Sequence, residues 1–169
     1  MPRRKHKKYT KPKRPFDKVR IQEEGELIKK YGLKSKREIW KADSAVDKIR
    51  RQAKLLLTRP IEEQERFVGR LKKQGFKIAS ISDTLGLDKE DYLKRRLQSI
   101  VVDKKIARTA KQARQFIAHK NIAVDNKIVN IPSYIVPIDQ EDKITLKLVK
   151  KIKPETKTEV GEEHARNKE

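Results

Sequence analysis

Residues 93–120 read LKRRLQSIVVDKKIARTAKQARQFIAHK, and this stretch decides the fold of the chain around it. Asp88 predicts the start of a helix, and apolar residues follow at helical spacing over 93–101. Thr109 predicts a second helix start, with an inward apolar stripe over 110–117. The stretch contains nine Lys or Arg residues and a single acid, Asp103. It therefore predicts two short helices with basic outward surfaces.

The outward side chains of these two helices are candidates for contacts with phosphate groups. A helix N-terminus presents free N–H groups that bind phosphate, and an adjacent Arg can hold a phosphate through two hydrogen bonds. Paired basic helices suit folded RNA, because side chains cannot read its deep groove and must recognise its shape and backbone. An ordinary solvated helical hairpin is the alternative. The candidates in this stretch are Arg95, Arg96, Arg108, Thr109, Lys111, Arg114, Gln115, His119 and Lys120.

From residue 122 the apolar pattern changes to a period of two, which indicates strands. Residues 122–124 and 127–129 flank Asp125-Asn126, and this arrangement predicts a hairpin with a tight turn. Residues 134–136 and 144–148 predict two further strands. The chain is polar from Pro154 onward, which predicts a disordered tail.

The region before residue 93 predicts a small helical bundle. A helix over 21–31 is expected to end at Gly32, and Ser35 with Glu38 forms a predicted capping box for the next helix. An apolar stripe over 39–56 continues that helix, and a third helix is predicted after Pro60. Four cations on the outward side of the second helix could contact RNA, namely Lys48, Arg50, Arg51 and Lys54, and the chief candidates are Arg50 and Arg51. A merely solvated face is the alternative for each of them.

The first twenty residues contain ten Lys or Arg residues and one acid. Three prolines oppose a helix here, so the segment predicts an extended basic arm that follows RNA phosphates. A solvated tail without a role is the alternative. The candidate contacts in the arm are Arg3, Arg4, Lys5, Lys7 and Lys8.

The charge of the whole chain points to a polyanionic partner. The 169 residues carry a formal net charge of +21, which repels itself unless a partner neutralises it. A membrane surface is the competing partner, but no long apolar run favours it. The chain has no Cys, and its three His residues are dispersed, so neither a metal site nor a cofactor is expected. Acidic groups such as Glu62-Glu63 lie at predicted helix starts, where the helix dipole explains them without catalysis.

The segments RRLQ at 95–98, ARTAKQARQFIAH at 107–119 and PSYIV at 132–136 resemble the S-four RNA-binding domain. The first two, together with YGLKSKREIW at 31–40, resemble more specifically the archaeal and eukaryotic type of the small-subunit ribosomal protein S-four family. The resemblance covers residues 1–150. It departs from the family pattern at the end of the second helix, where Asn121 is expected to take the left-handed conformation that Gly commonly takes.

The resemblance implies an α+β fold in which an N-terminal helical bundle precedes an S-four domain, with two helices packed on a small antiparallel sheet. The expected segments are an arm over 1–20, a helical domain over 21–92, an S-four domain over 93–152 and a tail over 153–169. The resemblance also implies a ribosome-bound, cytoplasmic, non-enzymatic protein that binds small-subunit ribosomal RNA, nucleates assembly of the subunit body and contributes to translational accuracy. Neighbouring ribosomal proteins, and mRNA near its entry channel, are the other implied partners.

Two other functions stay open at this point. An assembly or processing factor that binds precursor ribosomal RNA or a small nucleolar RNA shares the same architecture. A protein-interaction module would use the helical stripe instead, but the net charge opposes this as the main role.

Overall fold

A computed structural model of the chain describes residues 8–147. The predictions for Arg3, Arg4, Lys5, Lys7 and the tail concern residues outside this range. The elements are α1 Lys18–Tyr31, α2 Lys36–Leu56, α3 Ile61–Lys73, α4 Ile81–Leu85, α5 Lys89–Lys94, α6 Leu97–Asp103, α7 Ala110–Ala118, β1 Ile122–Val124, β2 Lys127–Ile128, α8 Ile138–Glu141 and β3 Ile144–Leu146. The α+β fold class predicted from the sequence is confirmed.

The N-terminal helices bury the apolar stripes that the sequence predicted. In α2 the side chains of Ile39, Ala42, Val46 and Ala53 are all buried. The later part of that stripe packs with Phe67 of α3 in one cluster, and the earlier part packs with α1 in another. Leu93 of α5 joins the second cluster, so apolar packing extends from the N-terminal helices to the segment just before α6.

The second half of the chain packs α6 and α7 against a three-stranded antiparallel sheet with the order β2-β1-β3. The central strand β1 is buried along its whole length. The predicted hairpin turn is confirmed, because Asp125 and Asn126 have φ angles of 50° and 63°, as a type I′ turn requires. These short strands and two helices form a small core of their own, which includes Ile117 and Val136.

The helix predicted from Asp88 is broken into two pieces, α5 and α6. The break is at Arg95 and Arg96, where the backbone pairs with the segment 134–136 instead of continuing a helix. The amide of Val136 donates to the Arg95 carbonyl at 3.2 Å, and the amide of Leu97 donates to the Tyr134 carbonyl at 2.7 Å. The segment 134–136 was predicted as a strand of the sheet, but it forms only one isolated bridge, from Ile135 to Arg96.

Three local predictions need correction. The first helix begins at Lys18, capped by Asp17, and not at residue 21. At the end of α7 the left-handed conformation falls on Lys120, with a φ of 62°, and not on Asn121. The Ser35 side chain makes no capping hydrogen bond. The short helices α4 and α8 were not predicted, although Ser80 and Asp83 form a capping box that marks the start of α4.

The described end of the basic arm packs against α2. Residues 8–17 precede α1, and there Tyr9 packs on Trp40 of α2 with ring centroids 6.0 Å apart. The backbone of Thr10 donates to the Ser44 hydroxyl at 3.1 Å, so this end of the basic arm lies against α2.

Among the helices of residues 8–147, none is both long and apolar enough to cross a bilayer.

Candidate nucleic-acid interface

The Thr109 side chain caps the N-terminus of α7, as the sequence predicted, but the Gln112 side chain binds the amide of Arg108 and not that of Thr109. The Thr109 hydroxyl accepts a hydrogen bond from the Gln112 amide at 3.2 Å, and the Gln112 side chain accepts one from the Arg108 amide at 2.9 Å. Ala113 and Ile117 are completely buried under the helix. Burial of this stripe fixes the opposite side of α7 toward the surface.

The surface of α7 and its two flanks is basic. We define the α7 face as the exposed residues Arg108, Thr109, Lys111, Gln115, His119 and Lys120. Residues 104–124 contain no Asp or Glu, so local sequence provides no counter-charge. Within residues 8–147, none of the ion pairs involves Arg108, Lys111 or Lys120. Their charges are therefore available to a phosphate partner.

Of the two arginines on the outward side of α2, Arg50 is bound to another part of the chain and Arg51 is exposed. The Arg50 guanidinium donates to the Leu87 carbonyl at 2.6 Å and lies 3.5 Å from the Asp88 carboxylate. Its role in the structure is to hold α2 to the segment before α5. The neighbouring Arg51 is exposed and has no ion pair among the described residues. Of this predicted pair, Arg51 is the more exposed, and Arg50 is the one that is bound to another part of the described chain.

A groove of about 660 Å³ lies between α2, α7 and the loop at Pro132. Lys41 and Lys48 line it from α2, and Lys8 lines it from the end of the arm. All three lysines are exposed. The structure thus places Lys8 beside Lys48, which was also predicted on the outward side of α2, and beside Lys41, which was not singled out. The signal for Lys41 was its spacing of seven residues from Lys48, which places both on one side of α2.

Two arginines that were predicted to face outward are instead enclosed beside Glu38 of α2. The Arg96 guanidinium donates to Glu38 Oε2 at 2.5 Å, and that of Arg114 donates to Glu38 Oε1 at 2.8 Å. The side chain of Arg96 is 4% exposed, that of Glu38 is 16% exposed and that of Arg114 is 25% exposed. The reason is the break at residues 95–96, which turns Arg96 away from the surface that a continuous helix would have given it. Arg114 keeps partial access to the groove.

Gln98 of α6 lies next to this ionic cluster and is 1% exposed. Its amide nitrogen donates toward three carbonyl oxygens, those of Tyr31, Gly32 and Ala110, at 3.0, 3.0 and 2.7 Å. Its oxygen is 3.5 Å from an Arg114 nitrogen. The end of α1, the start of α6 and the start of α7 meet at this one side chain. We define the arginine junction as Glu38, Arg96, Gln98 and Arg114.

Gly32 allows the close approach at the arginine junction. It has a φ of 58°, and a Cβ atom at this position would lie 2.8 Å from the Ala110 backbone. Any other residue would have both a disfavoured conformation and a steric clash. The sequence predicted Gly32 as a helix C-cap, and the structure adds its contact with α7.

Arg95 also contacts the protein itself. Its guanidinium donates to the carbonyls of Gln74 and Val136 at 3.1 and 2.9 Å, and to the Glu141 carboxylate at 3.1 Å. It also lies against Gly75, where a Cβ atom would be 2.2 Å from the Arg95 guanidinium carbon. Arg95 therefore holds the end of α3 to the S-four domain, and its predicted outward position is not observed.

Glu38 is ionised because its two arginine partners outweigh its burial. Burial raises the pKa of the Glu38 carboxyl group, but the hydrogen bonds and charges of Arg114 and Arg96 lower it. The net pKa lies below the ordinary value. Sequence reasoning treated Glu38 as a capping residue, and it does accept from the Lys34 amide at 3.2 Å. Nothing in the sequence indicated its partners, which lie 58 and 76 positions away.

Two helices packed on a small antiparallel sheet, with basic residues on and around an acid-free α7, form the arrangement expected of an S4-domain protein. The family model described as "S4 domain" matches residues 95–142. The chain is 44% identical over 149 residues to the small ribosomal subunit protein uS4 of Methanothermobacter thermautotrophicus, with 85% of this chain and 87% of that protein covered. It is 45% identical to uS4 of Saccharolobus islandicus strain L.S.2.15 over 85% of this chain and 83% of that one. It is 43% identical to uS4 of Methanococcus aeolicus, with 85% of both chains covered.

The chain belongs to the uS4 family of small ribosomal subunit proteins. The resemblance found in the sequence is thereby confirmed, including its archaeal type.

Proposed function

We propose that this chain is a structural constituent of the small ribosomal subunit and binds small-subunit ribosomal RNA directly. The observation that carries the proposal is the α7 face, which presents cations without counter-charges among the described residues. The names of the uS4 relatives support a place in the small ribosomal subunit. Cations on a rigid helix can neutralise phosphates and release their counterions, which gives affinity without reading base sequence.

The binding surface in this proposal extends over two parts of the molecule. The α7 face supplies Arg108, Lys111 and Lys120, and α2 supplies Arg51 with the lysines of the groove. Lys8, in the part of the basic arm that the structure describes, lines the same groove. We retain the division into a helical domain over 21–92 and an S-four domain over 93–152 as part of the proposal, with α1 reaching back to Lys18.

We also propose the finer roles that the family resemblance implies. The chain would nucleate assembly of the subunit body, contribute to translational accuracy and contact neighbouring ribosomal proteins. It would lie near mRNA at the entry channel of a cytoplasmic ribosome and would have no enzymatic activity. The ribosomal names of the relatives support the stable-constituent reading over the assembly factor.

Sedimentation of cell lysate in low and moderate salt tests this proposal. A structural constituent comigrates with the small subunit and stays there when the salt concentration is raised. A protein found only in precursor particles would instead be an assembly factor, and the proposal of a stable constituent would then be withdrawn.

A further inference from the structure

The only carboxylate at the arginine junction is that of Glu38, and its position is unexpected for a protein with a net charge of +21. Glu38 belongs to α2, whereas Arg96 and Arg114 belong to the S-four domain. Its two carboxylate oxygens each bind a different arginine, at 2.5 and 2.8 Å. One side chain thus connects the helical region to two separate points of the S-four domain.

The arginine junction lies between the two parts of the proposed RNA-binding surface. The exposed Lys41 and Lys48 continue along α2 from Glu38, and the exposed Lys111 lies one turn before Arg114 on α7. The relative position of these two sets of cations depends on the angle between α2 and α7. A folded RNA holds its phosphates at fixed spacings, so a surface already held at the correct spacing binds it with less loss of entropy.

We propose that Glu38 is a positioning residue for RNA binding, which orients the α2 cations relative to the α7 face by holding Arg96 and Arg114. This inference rests on the proposed function. It assigns Arg96 and Arg114 mainly to the organisation of the surface, and leaves phosphate contact to the exposed cations. It also predicts a change in RNA affinity opposite to the change expected from net charge alone. Removing a negative charge should strengthen binding to RNA, whereas the loss of this particular one should weaken it.

The test compares the parent chain with Glu38→Gln on two RNA probes, in vitro transcribed small-subunit ribosomal RNA and poly(U). We expect Glu38→Gln to weaken binding to the folded RNA by about tenfold, since the surface is no longer held at one spacing. Binding to poly(U) should change by less than about twofold, because a flexible strand adapts to either spacing. Glu23→Gln is the matched control, because Glu23 is exposed and has no ion pair among residues 8–147. It should not weaken binding to either RNA.

Arg114→Gln provides a second variant that leaves the Glu38–Arg96 pair in place. The positioning role predicts weaker binding to the folded RNA with an unchanged dependence of log Kd on log salt. If Arg114 itself contacts a phosphate, the slope falls by about one. Circular dichroism at the temperature of the binding assay confirms that each variant is folded before its affinity is compared.

Three results would overturn the inference. Glu38→Gln could bind folded RNA as tightly as the parent chain or more tightly, it could weaken binding to both RNAs equally, or Arg114→Gln could lower the salt slope. In each case a parent chain that still prefers folded ribosomal RNA leaves the proposed function intact. A parent chain without this preference overturns the proposed function, and the positioning role with it.

Discussion

The α7 face and the arginine junction both contain basic side chains, which are exposed in the first region and paired with a carboxylate in the second. Arg108 and Lys111 stand at the surface with no carboxylate partner among the described residues, whereas Arg96 and Arg114, within twenty positions of them, share Glu38. The first pair can exchange counterions for phosphates, whereas the second pair shares one carboxylate, which compensates half of its charge. A basic stretch in an RNA-binding protein is therefore not uniformly a binding surface, because part of its charge holds the fold together.

The largest expected effect concerns the stability of the arginine junction. Glu38→Ala leaves the buried guanidinium of Arg96 without a counter-charge, and should lower the free energy of unfolding by about 3 kcal/mol. Urea denaturation measures this. Lys111→Ala on the α7 face should leave the urea midpoint nearly unchanged. Equal midpoints for Glu38→Ala and the parent chain would mean that the two regions do not differ in structural role.

The next effect concerns the neutral member of the arginine junction. Gln98→Leu removes the two N–H donors that serve the carbonyl groups of Tyr31, Gly32 and Ala110, and should lower the free energy of unfolding by about 2 kcal/mol. Gln112→Leu is a control on the exposed side of the same region, where only the cap on Arg108 is lost. A smaller loss for Gln98→Leu than for Gln112→Leu would contradict the role of Gln98 in joining α1, α6 and α7.

On the α7 face the expected effect is on RNA affinity and not on stability. Arg108→Gln combined with Lys111→Gln should reduce the slope of log Kd against log salt by about two, because two phosphate contacts are lost. A nitrocellulose filter assay over a series of salt concentrations measures the slope. An unchanged slope would show that these two residues do not contact phosphate.

The smallest expected effect is on the pH dependence of the free energy of unfolding. Since the pKa of Glu38 in the folded chain lies below its ordinary value of 4.5, its contribution is present above that pH and is lost as the pH falls further. The free energy of unfolding of the parent chain should decline below about pH 4.5, and Glu38→Gln should remove part of that decline. Glu90, held by Lys30, also has a lowered pKa and accounts for another part. A decline of the same steepness in the variant would rule out a contribution from Glu38.

Local sequence signals were sufficient for much of the fold. The Thr109 N-cap, the Asp125-Asn126 turn and the apolar stripe of α2 depend on neighbours within a few positions, and each was predicted correctly. The hairpin and the basic helix together placed the α7 face where the structure has it. These features are local because caps, turns and helical stripes are decided by side chains one or two turns apart.

The faces of Arg95 and Arg96 could not be predicted in the same way. Helical spacing assigns a side chain to a face only if the helix continues, and here the backbone pairs with residues about forty positions later. The partnership of Glu38 with Arg96 and Arg114 joins parts of the chain 58 and 76 positions apart, which no local pattern encodes. The sequence analysis consequently assigned to the surface arginines that the structure places in contact with other parts of the chain.

The absence of Cys from the chain allows the central claim to be tested with a single tethered cleavage probe. Ala118→Cys places the probe on the exposed side of α7 in line with Lys111, without replacing a proposed contact. Asp139→Cys places it on α8, beside the acids Glu141 and Asp142 of the same domain. We predict strong, localised cleavage of small-subunit ribosomal RNA from position 118 and little from position 139. Equal cleavage from both positions, or stronger cleavage from position 139, would contradict the account.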